Sequence, residues 1–441
     1  MSDQVKVDDR REPERRDGDR QPSRPAGLRQ YWKSLGPGIV TGAADDDPSG
    51  IATYSVAGAQ YGTALLWMAL VTWPLTVAVQ TMCARIGMVT GRGLAGALRH
   101  KFPRPVLLAA AFALFVANTI NVGADLRGMA DAAGLLTGIN SHLWVVGFGA
   151  GIAAGTIYLR YATIAHALKW LALALVAYVV TAFYVGPTWT TVARDTFVPR
   201  VPPLPGVWAT IVAILGTTIS PYLFFWQASQ EVEEEKAMGR RRVHDRVGAK
   251  PYEIETRRID ITLGTFFSNA AMFFIILATA LTLNRAGITK LETSRQIAEA
   301  LKPLAGKFAA LLYTVGLLGT GALAIPTLAG SAAYAAAELF GWRQGMDEPY
   351  NKARAFYAAF ICSIAFGISL DFLHINPVSA LYWTAVINGV LAPFLLVGIL
   401  IAASDRALMQ GQPSPMVGRV VVGLTTVVMF AAAVAMFVVK S

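Results

Sequence analysis

The sequence predicts an all-α integral membrane protein with about eleven transmembrane helices, of which the first and the sixth are broken. Of its 441 residues, 54% are hydrophobic and only 15% are charged, whereas a soluble domain is about a quarter charged. The mean hydropathy of +0.47 is too high for a soluble protein of this length. Apolar segments of membrane-spanning length recur along the chain and give the helix count.

Residues 1–33 are the exception to this apolar character. They are highly charged and have no apolar core, so we expect a disordered cytoplasmic tail and no cleavable signal peptide. The formal net charge of +10 is typical of the cytoplasmic loops of a membrane protein, and no nucleic-acid partner is expected. The two cysteines lie at or within apolar segments, which argues against a disulfide framework or a metal clip.

A transmembrane helix needs about 20 predominantly apolar residues. Eleven segments meet this requirement, near residues 35–58, 64–88, 105–136, 142–159, 164–186, 207–229, 259–283, 305–339, 353–372, 377–403 and 418–439. We expect residues 34–403 to form a ten-helix core in two halves, about 34–186 and 207–403. Residues 404–441 would then add a loop and the eleventh helix.

The distribution of Lys and Arg predicts the orientation, because these residues are concentrated in cytoplasmic loops. They cluster in the second-to-third, sixth-to-seventh, eighth-to-ninth and tenth-to-eleventh connections, which share one side if the spans alternate. The seventh-to-eighth connection is moderately basic and is the exception. We expect a multi-pass protein of the cell (inner) membrane with a cytoplasmic N-terminus. The acidic run at residues 231–235 is predicted to be solvated cytoplasmic surface, and the alternative is that it collects cations on that side.

Two spans at corresponding positions of the two halves are interrupted. The first contains "DDDPSG" at residues 45–50, and the sixth contains "GTTISPY" at residues 216–222. Proline removes a backbone hydrogen bond, and the carbonyls this frees are tolerated in lipid only where they face protein or a water-filled cavity. Ordinary proline kinks would explain either break alone. Paired breaks favour an inverted-repeat transporter with its binding site between them.

The carboxylates at the first break predict that a cation binds there. A carboxylate at mid-bilayer costs about 2.5–3.5 kcal/mol, and neither interrupted span contains Lys or Arg. Carboxylate, hydroxyl and carbonyl oxygens suit Mg²⁺, Ca²⁺ or Mn²⁺. Asp47, directly before Pro48, is the predicted metal-binding carboxylate. Asp45 and Asp46 either line a water-filled vestibule or cap the second half-helix.

Both breaks lie in segments that resemble a known family. "GPGIVTGAADDDPSGIATYSVAGAQYG" at residues 36–62 resembles the first helix of the NRAMP family of divalent metal transporters, whose break reads Asp-Pro-Gly-Asn. "GTTISPYLFFWQAS" at residues 216–229 resembles that family's sixth helix, whose break reads Met-Pro-His. The resemblance extends over nearly the whole chain after the tail. It implies a LeuT-type fold and a divalent metal ion as substrate, with no cofactor and no enzymatic activity.

Transferred by position, the resemblance implies a set of metal ligands. Asp47 would be the carboxylate and Ala44 a backbone-carbonyl ligand. The family's asparagine falls on Gly50, which has no side chain. Its methionine falls on Ser220, and its second carbonyl donor on Thr217.

The resemblance also implies a vestibule and a proton path. The family's two sixth-helix histidines fall on Tyr222 and Gln227, and the glutamine of its tenth helix falls near Ala385, with Asn388 as the nearest amide. On the third helix Asp125 retains the acid, whereas the next acidic position is Gly128.

These differences from the family's residues suggest which metal ion is preferred and whether transport is coupled to protons. A soft thioether favours transition metals, so Ser220 removes that preference and an all-oxygen site suits a partly hydrated Mg²⁺, with Mn²⁺ as the other favoured ion. The pattern is most similar to the NRAMP-related magnesium-transporter branch. Loss of the histidines predicts weak or absent proton coupling. Asp125 either carries a proton or pairs structurally with Arg127 or Arg85.

Other functions remain as alternatives. They are a proton-coupled Mn²⁺/Fe²⁺ symporter of NRAMP type, a sodium-coupled transporter of an organic solute, and a non-transporting metal sensor. An intramembrane enzyme would need a catalytic motif, and the sequence has neither His-Glu-x-x-His nor Gly-x-Ser-x-Gly. The expected partners are a divalent metal ion and the lipid bilayer, and the oligomeric state is left open.

Overall fold

The computed structural model describes residues 45–159, 174–373 and 375–439. All of these residues belong to one compact unit, Gly36–Ser441. Within the described ranges the regular structure is entirely helical. This is the expected outcome for a chain in lipid, because a helix satisfies its backbone hydrogen bonds within one segment.

The principal helices are α1 (Pro48–Tyr61), α2 (Trp67–Thr90), α3 (Arg104–Thr137), α4 (Ser141–Tyr158), α5 (Val176–Val185), α6 (Val207–Thr218), α7 (Pro221–Ala237), α8 (Pro251–Thr279), α9 (Ala309–Phe340), α10 (Arg354–Ser369), α11 (Pro377–Ser404) and α12 (Met416–Val438). Shorter helices are Leu94–Leu98, Trp189–Phe197, Val243–Arg246, Ser294–Ala298, Glu299–Leu301, Lys302–Ala305, Gly306–Phe308 and Leu370–Leu373. A π-helical turn, Ala280–Asn284, extends α8.

Each of the eleven predicted spans overlaps at least one of these helices. Within the described ranges, 8 segments are long and apolar enough to cross a membrane, with α6 and α7 counted as one. The beginning of the first span and residues 164–173 of the fifth lie outside the described residues. The prediction of an all-α, multi-pass membrane protein is confirmed.

Both predicted breaks lie next to the start of a half-helix. α6 ends at Thr218 and α7 begins at Pro221, with Ser220 in an extended conformation (φ −77°, ψ 131°). α1 begins at Pro48, and Asp47 before it is also extended (φ −68°, ψ 168°). In each case proline occupies the first turn of the half-helix, where its missing N–H breaks no helical hydrogen bond.

α1 lies at the centre of the helix bundle. It packs against α6, α8 and α11, and every one of its residues except Gln60 is buried. Around it, α3 packs along α9, while α2 contacts α7 and α8. The first residues of α1 therefore lie deep in protein, where exposed polar groups need partners other than bulk water.

Two glycines allow α6 and α11 to approach closely. A Cβ on Gly216 would lie 2.0 Å from the Ala385 carbonyl oxygen, and a Cβ on Gly389 would lie 2.2 Å from the Val212 carbonyl oxygen. Both contacts are to backbone atoms, which cannot move aside as the end of a flexible side chain can. Gly216 lies two residues before the end of α6, so this packing holds the break against α11.

The acidic run at residues 231–235 was predicted to be solvated surface, but part of it is buried. α7 continues to Ala237, and Glu231 is only 2% exposed. Arg257 of α8 forms ion pairs with Glu231 and with Asp260, each at 2.7 Å, and also with Glu234. The prediction was wrong for Glu231 because the sequence does not show that an arginine of the next helix packs against this acid.

The close α6–α11 contact makes a testable prediction. We expect Gly216→Ala to lower the thermal midpoint of the purified protein, because its new Cβ would overlap backbone atoms and overpacking costs about 1–3 kcal/mol. Gly151→Ala in α4 is the matched control, since its Cβ would meet no atom within 4 Å. Unfolding in detergent should separate the two variants, and equal midpoints would contradict the role of Gly216.

Candidate functional site

Asp47 caps the N-terminus of α1. Its Oδ1 accepts hydrogen bonds from the Ser49 hydroxyl at 2.8 Å and from the Gly50 amide at 2.7 Å. The first turn of a helix has amides without helical partners, and aspartate is a favoured residue for satisfying them. The same arrangement places the carboxylate at the positive end of the helix dipole. The side chain is 2% exposed.

The second oxygen of this carboxylate is bound from α3. Asn121 donates its side-chain amide to Asp47 Oδ2 at 3.1 Å and to Asp125 Oδ2 at 3.4 Å. Asn121 and Asp125 are fully buried and lie one turn apart on the same face of α3. A single amide therefore links the two carboxylates.

Unused acceptor positions remain around Asp47 Oδ2. A carboxylate oxygen offers about two lone-pair positions, and Oδ2 accepts the hydrogen bond from Asn121, which leaves one position at Oδ2. Asn121 Oδ1 and Asp125 Oδ1 are buried and have no hydrogen-bond partner among the described residues. The arrangement thus offers oxygen acceptors, and no opposing positive charge, on the side of Asp47 that faces α3.

Asp45 and Asp46 meet α8. The Ser268 hydroxyl lies 2.7 Å from Asp45 Oδ2 and 3.1 Å from Asp46 Oδ1. One hydroxyl proton cannot serve both acids at once. Asp45 and Asp46 are 1% and 6% exposed, and Asp45 Oδ1 has no partner in the part of the chain that the structure describes.

None of these four buried aspartates forms an ion pair with a described residue. Of the two arginines considered as partners for Asp125, Arg127 instead pairs with Asp371, and Arg85 donates to the Gln412 carbonyl at 3.2 Å. Across the described ranges, no three His, Cys, Asp or Glu side chains converge to hold a metal ion by themselves. A cation at Asp47 would therefore also need amide, carbonyl, hydroxyl or water oxygens.

The break between α6 and α7 supplies hydroxyl and carbonyl oxygens. The Ser220 hydroxyl lies 2.8 Å from the Gly216 carbonyl and 2.6 Å from the Thr217 carbonyl. The Thr217 hydroxyl donates to the Tyr54 hydroxyl of α1 at 2.9 Å, which joins the two broken helices. On the other side, the Thr76 hydroxyl of α2 binds the Thr218 carbonyl at 3.2 Å.

Of the other predicted residues, Gly50 and Tyr222 lie in the first turns of α1 and α7, whereas Gln227 lies further along α7. Gly50 contributes its amide to Asp47, and Tyr222 is buried. Gln227, by contrast, donates to Glu231 at 2.6 Å and so joins the ion pairs of Arg257.

Two further site residues were predicted from the resemblance, Asn388 and Ala44. Asn388 is buried, and its Oδ1 has no partner within the described ranges. Ala44 lies outside the described residues.

The sequence analysis did not include Asn121 or Ser268 among the site residues. For Asn121 a signal existed, because its spacing of four from Asp125 places both on one face of a helix. For Ser268 there was none, since serine is common in membrane helices and its contact with Asp45 joins residues 223 positions apart.

Comparison with known proteins gives the chain a family context. The model of the Nramp family, described as natural resistance-associated macrophage protein-like, matches residues 38–439. A protein named divalent metal cation transporter MntH, from Caldanaerobacter subterraneus subsp. tengcongensis, is 24% identical over 401 residues, covering 87% of each chain. A protein of the same name from Aeromonas hydrophila subsp. hydrophila is 26% identical over 414 residues, covering 88% of this chain and 92% of the relative.

Solved structures share the fold. The manganese transporter of Eremococcus coleocola aligns with a TM-score of 0.68 at 17% identity, covering 94% of this chain and 88% of that one. Mhp1, a nucleobase-cation-symport-1 family transporter, aligns with a TM-score of 0.56 at 17% identity, covering 91% and 90%. At such identities the likeness concerns the fold alone, and it confirms the predicted LeuT-type architecture.

Proposed function

Because the chain belongs to the Nramp family, we propose that it transports divalent metal cations across the membrane by alternating access. The metal ion is the substrate and not a cofactor, and the protein is not an enzyme. The curated relatives named divalent metal cation transporter support this function. We further propose that the membrane is the cell (inner) membrane and that the N-terminus is cytoplasmic, as the distribution of Lys and Arg indicates.

One observation carries the proposal: carboxylates are buried at a helix break without a cationic partner among the described residues. Burying an unpaired charge costs several kcal/mol per ion. Asp47 and Asp125 share one neutral amide, which orients them but does not neutralise them. A divalent cation bound at the remaining acceptor positions would offset both charges. The buried acids therefore favour a doubly charged substrate over a neutral solute.

The donor chemistry supports Mg²⁺ or Mn²⁺ as the preferred ions. The described residues around Asp47 offer carboxylate, amide and hydroxyl oxygens, which suit both ions. At the second break Ser220 supplies a hydroxyl where a soft sulfur ligand would favour transition metals. The Ser220 hydroxyl is also bonded to two carbonyls, so direct metal contact there would require those bonds to break or water to mediate.

The proposed transporter is weakly or not proton-coupled. Gly128 follows Asp125 on α3 where a second acid would extend a proton path, and no histidine lies in α1, α3, α6 or α7. Entry of a doubly charged ion would then follow the membrane potential, which contributes about 4.6 kcal/mol per 100 mV for two charges. Asp125 is the observation that favours the second candidate, a proton-coupled Mn²⁺/Fe²⁺ symporter.

Alternating access would require the contacts on the cytoplasmic side to open. On the proposed cytoplasmic side, Arg257 joins α8 to α7 through Glu231 and Glu234. Glu231 also accepts the amide of Gln227. We propose that these polar groups line the inner exit and separate when the metal leaves.

The two other functions are less well supported. A sodium-coupled organic solute transporter agrees with the likeness to Mhp1, but the acids at the first break disfavour it. A non-transporting metal sensor would bind metal without flux.

We expect Asp47→Ala and Asp47→Asn to abolish metal uptake into proteoliposomes. Asparagine caps a helix about as well as aspartate, so Asp47→Asn should keep the start of α1 intact while it removes the charge that binds the cation. Uptake of Mg²⁺ and Mn²⁺ in competition, beside a thermal melt of each variant, separates lost binding from lost folding. Normal uptake by Asp47→Asn would refute the site.

We expect Ser220→Met to shift the ion preference towards softer metals. The substitution adds a thioether at the break and removes the hydroxyl bound to the Gly216 and Thr217 carbonyls. Competition of Cd²⁺ and Fe²⁺ against Mg²⁺ should report the shift. The matched control is Ser220→Ala, which removes the same hydroxyl without adding sulfur. Identical selectivity in the wild type and in Ser220→Met would show that this position does not tune the ion.

We expect Mg²⁺ entry to cause little acidification of the vesicle interior, because α3 carries Gly128 where a second acid next to Asp125 would extend a proton path. An internal pH dye recorded beside metal uptake tests this at a fixed membrane potential. Asp125→Asn should leave the small proton signal unchanged. Stoichiometric proton influx that disappears in Asp125→Asn would establish coupling instead.

A further inference from the structure

We propose that Asn121 of α3 is a metal ligand that sets ion affinity at the transport site, together with Asp47. This inference rests on the proposed function and adds a ligand from a continuous helix to a site otherwise built at helix breaks. The residue is fully buried, and its amide is the group that contacts both Asp47 and Asp125.

The spacing of the oxygens fits a small divalent cation. Neighbouring oxygens around an octahedral Mg²⁺, at 2.0–2.1 Å from the metal, are about 2.9 Å apart. Asn121 Nδ2 lies 3.1 Å from Asp47 Oδ2. Rotation of the side-chain amide by 180° exchanges Nδ2 and Oδ1, which brings a carbonyl oxygen to this position. Asn121 thus serves as a donor to the carboxylates without metal and as an oxygen ligand with it.

α1 itself offers no amide side chain at this point. Gly50 follows Asp47 by three positions, and a Cβ there would lie 3.4 Å from Asp47 Oδ1. That oxygen already accepts two hydrogen bonds from the first turn of α1. Oδ2 retains an acceptor position, and it is the oxygen that faces Asn121. The side of the carboxylate that is free for metal is therefore the side on which α3 places its amide.

Asn118, one turn earlier on α3, provides the contrast. It is also fully buried, and its Oδ1 likewise lacks a partner within the described ranges. Its amide, however, donates to the Leu328 carbonyl at 2.9 Å and to the Ser331 hydroxyl at 2.8 Å. Both acceptors belong to α9 and are uncharged. Asn118 joins two helices, whereas Asn121 contacts two carboxylates.

The experiment compares Asn121→Leu with Asn118→Leu, two asparagine-to-leucine changes of equal size on one helix. Uptake of Mn²⁺ and Mg²⁺ into proteoliposomes gives KM and kcat, and a thermal melt gives stability. We expect Asn121→Leu to raise KM about 10-fold or more, since lost support of a metal site typically costs 10–100-fold. Asn118→Leu should lower the thermal midpoint and leave KM unchanged.

If Asn121→Leu does not fold, Asn121→Asp provides a second test, because aspartate has the same size and shape as asparagine. It removes the donor and adds a third carboxylate, so stability without metal should fall. Binding of metal should then raise the midpoint more than in the wild type, because the cation offsets the added repulsion. A Mn²⁺-induced shift no larger than that of the wild type would overturn the inference.

Failure of this inference is distinguishable from failure of the proposed function. If Asp47→Asn is inactive while Asn121→Leu has a wild-type KM, Asn121 is not a ligand and the transporter assignment stands. If the wild type takes up neither Mg²⁺ nor Mn²⁺, the proposed function fails. If Asp47→Asn transports metal normally, the metal site at Asp47 fails, and the role of Asn121 fails with it.

Discussion

The cost of burying negative charge governs the centre of this protein. Asp45, Asp46, Asp47 and Asp125 are all buried, and none forms an ion pair with a described residue. Neutral groups hold them instead: helix amides, two serine hydroxyls and the amide of Asn121. Such groups orient a carboxylate without cancelling its charge. The fold thus leaves negative charge that a bound divalent cation would offset and that a fixed arginine would already have neutralised.

The broken helices make this arrangement possible. A continuous helix presents few free backbone donors or acceptors at mid-membrane, whereas a break exposes the amides of one half-helix and the carbonyls of the other. Asp47 uses the amides at the start of α1. Ser220 uses the carbonyls at the end of α6. The Thr217–Tyr54 hydrogen bond joins the end of α6 to α1.

The surrounding helices have different roles in holding that place. α11 supports α6 through the glycine contacts at Gly216 and Gly389, where backbone meets backbone. α3 contributes polar side chains, and α8 supplies Ser268 near the centre and Arg257 further along the same helix. Close apolar packing keeps α6 near its neighbour, whereas the contacts of α7 with α8 include ion pairs.

The sequence by itself determined the all-α, multi-pass membrane class and the prolines at which α1 and α7 begin, and it predicted Asp47 as the metal-binding carboxylate. These properties follow from composition, from the length of apolar runs and from proline beside an acid, all of which are local. Tertiary structure decided which side chains meet Asp47. Asn121 and Ser268 come from helices distant in sequence, and Arg127 pairs with Asp371 rather than with Asp125.

The acidic run at residues 231–235 illustrates the same limit. Its charge alone predicted solvent exposure, but Arg257 offsets the charge of Glu231 and allows it to be buried. Whether a polar side chain binds metal, carries a proton or joins two helices depends on what lies opposite it. That information resides in the packing of helices and not in any one segment, because partners are chosen by proximity in space.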